Sequence, residues 1–238
     1  GSGKSSLVRA GLVPRLRAAI RDSWEIAVMV PGTHPFVELA RAFGRSSSDL
    51  RDDDLDLLRA VQQAAPSETR RHLLVIDQFE ELFRRDVDER ERSRFLRTLV
   101  EAVADPDSQL TVLATLRADF YDRAIAEPAF SPLIAESTLT VVPMGAAELE
   151  EAAAQPAGRV GVQLEPELIA ELSSDMTGQP GSLPLYQYVL TLLFDERTGS
   201  TLTRSIYHQI GGLRGALALR AEDVYVNLDR DCQIIARQ

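Results

Sequence analysis

The opening residues GSGKSSL carry a glycine, a lysine and a serine in an order that binds phosphate. In a loop of the pattern G-x-x-x-x-G-K-[ST], backbone N–H groups and the N-terminus of the following helix cradle the phosphate oxygens. The lysine neutralises charge on the outer phosphates and the next hydroxyl holds Mg²⁺. Gly3, Lys4 and Ser5 fit these three parts, with Gly1, Ser2 and Ser6 as the remaining loop positions. The first glycine of the pattern would precede Gly1, so the chain reads as starting part-way through the motif. A flexible Gly/Ser stretch would share the same letters. Lys4 weighs against that alternative: it is the only lysine among 26 basic residues. A compact ammonium reaches between phosphate oxygens in a way that a planar guanidinium does not.

A second group lies in LLVIDQFEE. Asp77 ends an apolar run, where a carboxylate is costly unless it meets a cation or strong donors. Orienting water on a Mg²⁺ held by the loop serine would satisfy it, the part played by a Walker B aspartate. Glu80 and Glu81 are then candidates to polarise an attacking water. The alternative is that Asp77 caps a helix over EELFRR, with the glutamates favouring its first turn. The third group is ATLRADF, where Thr115 and Arg117 close another apolar run. They could sense a γ-phosphate, or Arg117 could form an ordinary ion pair with Asp119.

These residues need a scaffold that brings strand ends together. Leu73–Ile76 is a continuous apolar run of the kind buried on both faces of a parallel sheet. WEIAVMVPG, QLTVLATLR and STLTVVPM read as further strands. SSLVRAGLVPRLRAAI has helical spacing, with Pro14 expected to kink or split it. THPFVELARAF, DLDLLRAVQQAA and ERERSRFLRTLVEAVAD are further helices, and residues 45–54 form a charged loop. Strands alternating with helices indicate a parallel α/β sheet, whose ligands collect beyond the carboxyl ends of its strands. Past Pro143 the pattern becomes helical: AAELEEAAAQPAGRV, PELIAELSSDM and LPLYQYVLTLLFDE, with no strand expected over 146–197. DERTGSTLTR reads as a linker before a last helical element, IYHQIGGLRGALALRAEDVYVNL.

The bulk composition narrows the setting. The chain has 238 residues, 45% of them hydrophobic and 26% charged, as in an ordinary globular protein. A net charge of -10 argues against broad adhesion to nucleic acid or anionic membrane. Cys232 is the only cysteine, so no internal disulfide can form. No run approaches the roughly 18 apolar residues of a membrane span. A cytoplasmic protein is the expectation.

GKSSLVRAGLVPRL, LLVIDQFEELF, TLRADFYDR, GSLPLYQYVL and YHQIGGLRGALALRAEDVY together resemble the novel STAND NTPases of bacteria, the nSTAND1 group, across essentially the whole chain. These are signal-transduction ATPases related to NACHT and NB-ARC modules. The resemblance implies a P-loop NTPase core over residues 1–143, a helical domain over 144–200 and the start of a winged-helix domain over 201–238. It implies ATP or ADP with Mg²⁺ as cofactors, Lys4 and Ser5 as Walker A, Asp77 as Walker B, and Glu80 with Glu81 as the downstream acidic pair. Arg117 would be the sensor 1 arginine. Pro184, in GSLPL, would pack against adenine, although as a residue it reads first as a proline favoured at a helix start. The implied function is a switch with slow hydrolysis, since Gln78 stands where many P-loop ATPases place a catalytic glutamate. The implied partners are further copies of the chain on activation, with sensor repeats such as WD40 and an effector domain in flanking regions. His208 precedes the wing and reads as structural.

Two other classes compete. A transport ATPase of the ABC type should carry an LSGGQ-like signature before Asp77, and none is present. A small-molecule kinase should show an arginine-rich lid. RRDVDERERSR is charged enough, yet its alternating signs suit a solvated helix better. A non-hydrolysing scaffold that holds ADP to stabilise its fold is the third reading.

Overall fold

The computed structural model describes residues 2–19, 24–44, 71–176, 181 and 183–236. The loop expected over 45–54 and the helix expected at DLDLLRAVQQAA lie outside the described residues. The chain falls into two compact units, Lys4–Thr140 and Val141–Gln238, the latter grouped with Gly1–Gly3.

In the first unit three strands form one parallel sheet in the order β1 (Trp24–Met29), β2 (Arg71–Ile76), β3 (Leu110–Ala114). The central strand explains its own sequence. Leu74 and Ile76 join a core with Phe36, Leu39, Phe95 and Leu99, whereas Leu73 and Val75 join a second core with Val8 and Val13. Successive side chains of a strand point to opposite faces, so a run of four apolar residues is what two covered faces require. The helix Pro35–Ala42 and the helix Glu89–Ala104 supply the first cover; the helical stretch from Lys4 supplies the other. Asp88 caps Glu89–Ala104, its side chain accepting from the Glu91 N–H at 2.9 Å.

Local departures from the sequence expectations have identifiable causes. Pro14 does not split the first helix. Lys4–Ser6 and Val13–Ala19 are α-helical and are joined by a π-helical stretch, Leu7–Leu12, with the Val13 N–H bonded to the Val8 carbonyl. A proline lacks an N–H and clashes with the carbonyl four residues back; a wider turn just ahead of it accommodates both. EELFRR forms no α-helix: Phe79–Phe83 is a short 3₁₀ turn. STLTVVPM is not a strand. Its first residue, Ser137, ends the helix Ser131–Ser137, Thr138 is extended, and Leu139 is 86% exposed. An extended segment becomes a strand only with a ladder partner, and none pairs with it among the described residues.

The second unit is built from helices Ala146–Arg159, Pro166–Met176, Leu183–Asp195, Arg204–Ile210, Gly212–Val226 and Arg230–Ala236. Leu149, Leu168, Leu172, Val189, Leu193, Tyr207 and Leu213 share one core, so residues on both sides of position 200 pack together. A two-strand parallel ladder, β4 (Gln163–Leu164) with β5 (Thr201–Leu202), lies within this unit. It corrects the strand-free reading of 146–197 and the linker reading of DERTGSTLTR; two residues are too few to show a period.

The last helical element is also interrupted. Gly211 adopts φ 86° and Gly212 φ 64°, which lets the chain turn between Ile210 and Leu213. A Cβ on Gly215 would overlap the Ile210 carbonyl oxygen of the preceding helix. Gly215→Ala is therefore expected to destabilise the protein by about 1–3 kcal/mol, since the obstructing atom is backbone and cannot swing away. Urea unfolding of this variant beside the parent checks it; equal midpoints would show that the junction tolerates a methyl group.

Candidate functional site

The register of the sheet places the three strand ends side by side: Met29 opposite Ile76, and Ile76 opposite Ala114. The ladder continues one step further. The Asp77 N–H donates to the Met29 carbonyl at 2.8 Å and the Thr115 N–H to the Ile76 carbonyl at 3.0 Å. Asp77 and Thr115 thus stand next to each other at the carboxyl edge, both buried.

Asp77 is the hub of the site. Its Oδ1 accepts from the Ser5 hydroxyl at 2.7 Å, from the Thr115 hydroxyl at 2.7 Å and from the Gln78 N–H at 3.1 Å. The Ser5 bond joins residues 72 apart in sequence. The Gln78 N–H also donates to Thr115 Oγ1 at 3.0 Å, which closes a ring of donors around one oxygen. To aim that N–H, Gln78 takes a left-handed backbone at φ 55°, the only non-glycine with positive φ among the described residues. Such a conformation costs about 1–2 kcal/mol for an L-residue and persists here because two acceptors share the donor. Burial pushes the Asp77 carboxyl up, but hydrogen bonds from Thr115 and Ser5, the Arg9 charge and the Gln78 N–H outweigh it and hold the group below its ordinary 3.8. Asp77 therefore caps no helix; the turn that follows starts at Gln78 without a side-chain cap.

Thr115→Val removes one donor to a buried carboxylate and leaves the Gln78 N–H with one acceptor fewer. The expected loss is about 1–3 kcal/mol in urea unfolding. Thr115→Ser, which keeps the hydroxyl, should stay close to the parent. A valine variant as stable as the parent would remove Thr115 from the network.

The remaining expected residues are placed as follows. Gly1 lies outside the described residues. Gly3 adopts φ 81°, a conformation that suits glycine, and Ser2 and Lys4 are half-buried on either side. Lys4 opens the helical stretch and Ser6, exposed, lies within its first turn. Glu80 accepts from the Arg117 N–H at 3.3 Å, and Glu81 pairs with Arg84 at 2.9 Å. The Arg117 guanidinium forms a two-point ion pair with Asp119, at 3.0 and 2.8 Å. Those bonds first, with a contribution from the Lys4 charge, keep the Asp119 carboxyl below its ordinary value. Pro184 is exposed in the second unit, the second residue of the helix Leu183–Asp195. His208 is in that unit too, with Nε2 3.1 Å from Glu171.

Arg9 was not among the expected residues. Its guanidinium lies 3.5 Å from Asp77 Oδ2. The spacing held the signal: Arg9 follows Ser5 by four residues, and residues so spaced share a helix face.

The donor set suits Mg²⁺. This ion takes oxygen ligands and is commonly held by one or two carboxylates, with phosphate and water completing its shell. Ser5 Oγ and Asp77 supply a hydroxyl and a carboxylate, and Asp77 Oδ2 is buried without a hydrogen bond. No cluster of three His, Cys, Asp or Glu residues that could form an all-protein cage occurs among the described residues.

The family described as nSTAND1, Novel STAND NTPase 1, matches residues 1–238. The chain belongs to this family. It is a STAND-class P-loop NTPase. Among solved structures, the ORC2 protein of Aeropyrum pernix in its ADP form is similar to this nSTAND1 chain. It has a TM-score of 0.60 and 17% identity over 92% of this chain and 59% of its own. At that identity the likeness concerns the fold, a mixed α/β architecture with a parallel sheet and many helices. The nSTAND1 chain spans about three fifths of that protein's length. Among curated proteins nothing matches. No helix among the described residues is long and apolar enough to cross a membrane.

Proposed function

We propose that this nSTAND1 chain is a nucleotide-controlled switch that binds ATP or ADP with Mg²⁺, hydrolyses ATP slowly, and couples the bound nucleotide to self-association and effector signalling. The observation that carries it is the 2.7 Å bond from Ser5 Oγ to Asp77 Oδ1, which joins the loop to the strand end. In this reading Gly1, Ser2, Gly3 and Ser6 line the phosphates, Lys4 neutralises them, and Ser5 and Asp77 hold Mg²⁺. When bound, Mg²⁺ offsets the negative charge of the phosphate oxygens. Asp77 stays ionised because three donors converge on Oδ1. Arg117 is proposed as the γ-phosphate sensor, and it must leave Asp119 to act as one. Pro184 is proposed on the adenine side. The fold shared with a protein solved in its ADP form supports a nucleotide ligand of this kind.

Slow turnover follows from the acids beside Asp77. Gln78 offers no carboxylate, and Glu81 is held by Arg84. Glu80 is the better placed base, although its carboxylate is engaged by the Arg117 N–H. A switch of this type needs a differential affinity for its two states of about 10⁴-fold, roughly 5.5 kcal/mol, to move from almost wholly one to almost wholly the other. Titration with fluorescent ADP and ATP, with light scattering to read assembly in each, tests the proposal. Binding of both with assembly under ATP alone is expected. Equal assembly in the two nucleotides would rule out a switch, and absence of binding would rule out the site.

A further inference from the structure

The two oxygens of Asp77 are treated very differently. Oδ1 receives three hydrogen bonds, whereas Oδ2 is buried without one. Among the described residues, the cation paired with that side is Arg9, whose NH1 lies 3.5 Å from Oδ2, beyond a good hydrogen bond but within ion-pair range. Arg9 extends from the same helical stretch that carries Lys4 and Ser5, on the face of Ser5. Its side chain remains 55% exposed, while that of Asp77 is 1% exposed. The pair thus joins a fixed, buried anion to a cation that can swing into water without leaving its own charge unsolvated. Oδ2 is also the atom through which a buried carboxylate with Oδ1 saturated would meet a further cation.

We propose that Arg9 is the resident counter-cation of Asp77: it neutralises the carboxylate when Mg²⁺ is absent, gives way when Mg²⁺ arrives with nucleotide, and so sets how strongly nucleotide binding depends on the metal. The inference rests on the nucleotide reading above and adds a regulatory part that the loop residues do not play. Two effects follow from one guanidinium. Without Mg²⁺, Arg9 shields incoming phosphate from the Asp77 charge, so some ADP binding persists. With Mg²⁺, Arg9 competes for the carboxylate and weakens the metal's hold. Both effects flatten the dependence of affinity on Mg²⁺. An arginine suits the task because its guanidinium is weakly hydrated.

The test is the ratio of fluorescent-ADP dissociation constants in EDTA and in saturating Mg²⁺, measured on the intact natural protein. In Arg9→Gln this ratio is expected to rise about fivefold, the upper end of what an ion pair with a solvent-exposed partner contributes. Binding weakens in EDTA and tightens in Mg²⁺. Arg9→Lys, which keeps the charge, should hold the ratio near the parent's. On an Asp77→Asn background Arg9→Gln should leave the ratio unmoved, because no carboxylate remains to shield. An Arg9→Gln ratio equal to the parent's, in a protein whose ADP binding responds to Mg²⁺, would overturn the proposal and leave the nucleotide reading standing. If the parent binds no ADP in either buffer, the nucleotide reading falls and this inference falls with it.

Discussion

Lys4→Ala is expected to weaken ADP and ATP binding at least about a hundredfold. A charge-assisted hydrogen bond contributes about 1.5–3 kcal/mol, so an ammonium shared between two phosphate oxygens accounts for a loss of this size. Lys4 is half-buried at the start of a helical stretch, where a positive charge opposes the helix dipole. Removing it should abolish the rise in unfolding midpoint that ligand brings by mass action. Lys4→Arg should fail as well, by about tenfold or more, since a planar fork does not fit between phosphate oxygens as a point charge does. This would explain why one lysine stands among so many arginines. Isothermal titration on the three proteins measures it. A Lys4→Ala variant that binds ADP as tightly as the parent would end the phosphate-loop interpretation of the opening residues.

The second large effect belongs to Asp77, and it has two readouts. Asp77→Asn keeps an acceptor for Ser5, Thr115 and Gln78 but removes the negative charge from Oδ2. Nucleotide affinity in Mg²⁺ should therefore fall to the level seen in EDTA. Stability at pH 7 should fall by about 1.5–3 kcal/mol, the value of hydrogen bonds that lose a charged partner. The pH dependence has a fixed sign. The folded-state pKa of Asp77 is depressed below 3.8, so its stabilising contribution is complete above that value and is lost as pH falls through the lower folded value. The gap between parent and variant should accordingly be constant from neutral pH down to about 5 and close below about 4. Urea unfolding at several pH values reads this directly. A gap that persists unchanged at pH 2 would assign the loss to shape and not to charge.

Much of the arrangement was legible in the letters of the chain. The four apolar residues before Asp77 required a strand covered on both faces, and that environment forces any carboxylate at its end to find donors. Gly3, Lys4 and Ser5 named their own chemistry by type and order, and the helical spacing over 89–104 and 183–195 located those helices. What is local in the chain was readable, namely the periodicity of its apolar residues. What depends on a neighbour was not. STLTVVPM has the composition of a strand but no ladder partner among the described residues, whereas Gln163–Leu164 is too short to show a period yet pairs with Thr201–Leu202. Arg117 could be read as a phosphate sensor or as an ion pair, and only the fold set it against Asp119. Thr115, Gln78 and Arg9 meet at one carboxylate because parallel strands ending in register, and a helix that begins at the loop, converge on that point. The sequence by itself determined which residue types the site contains and why each is costly to replace. Tertiary structure alone decided which oxygen of Asp77 is saturated and which faces a cation, because that choice depends on distances between atoms up to 72 residues apart in the chain.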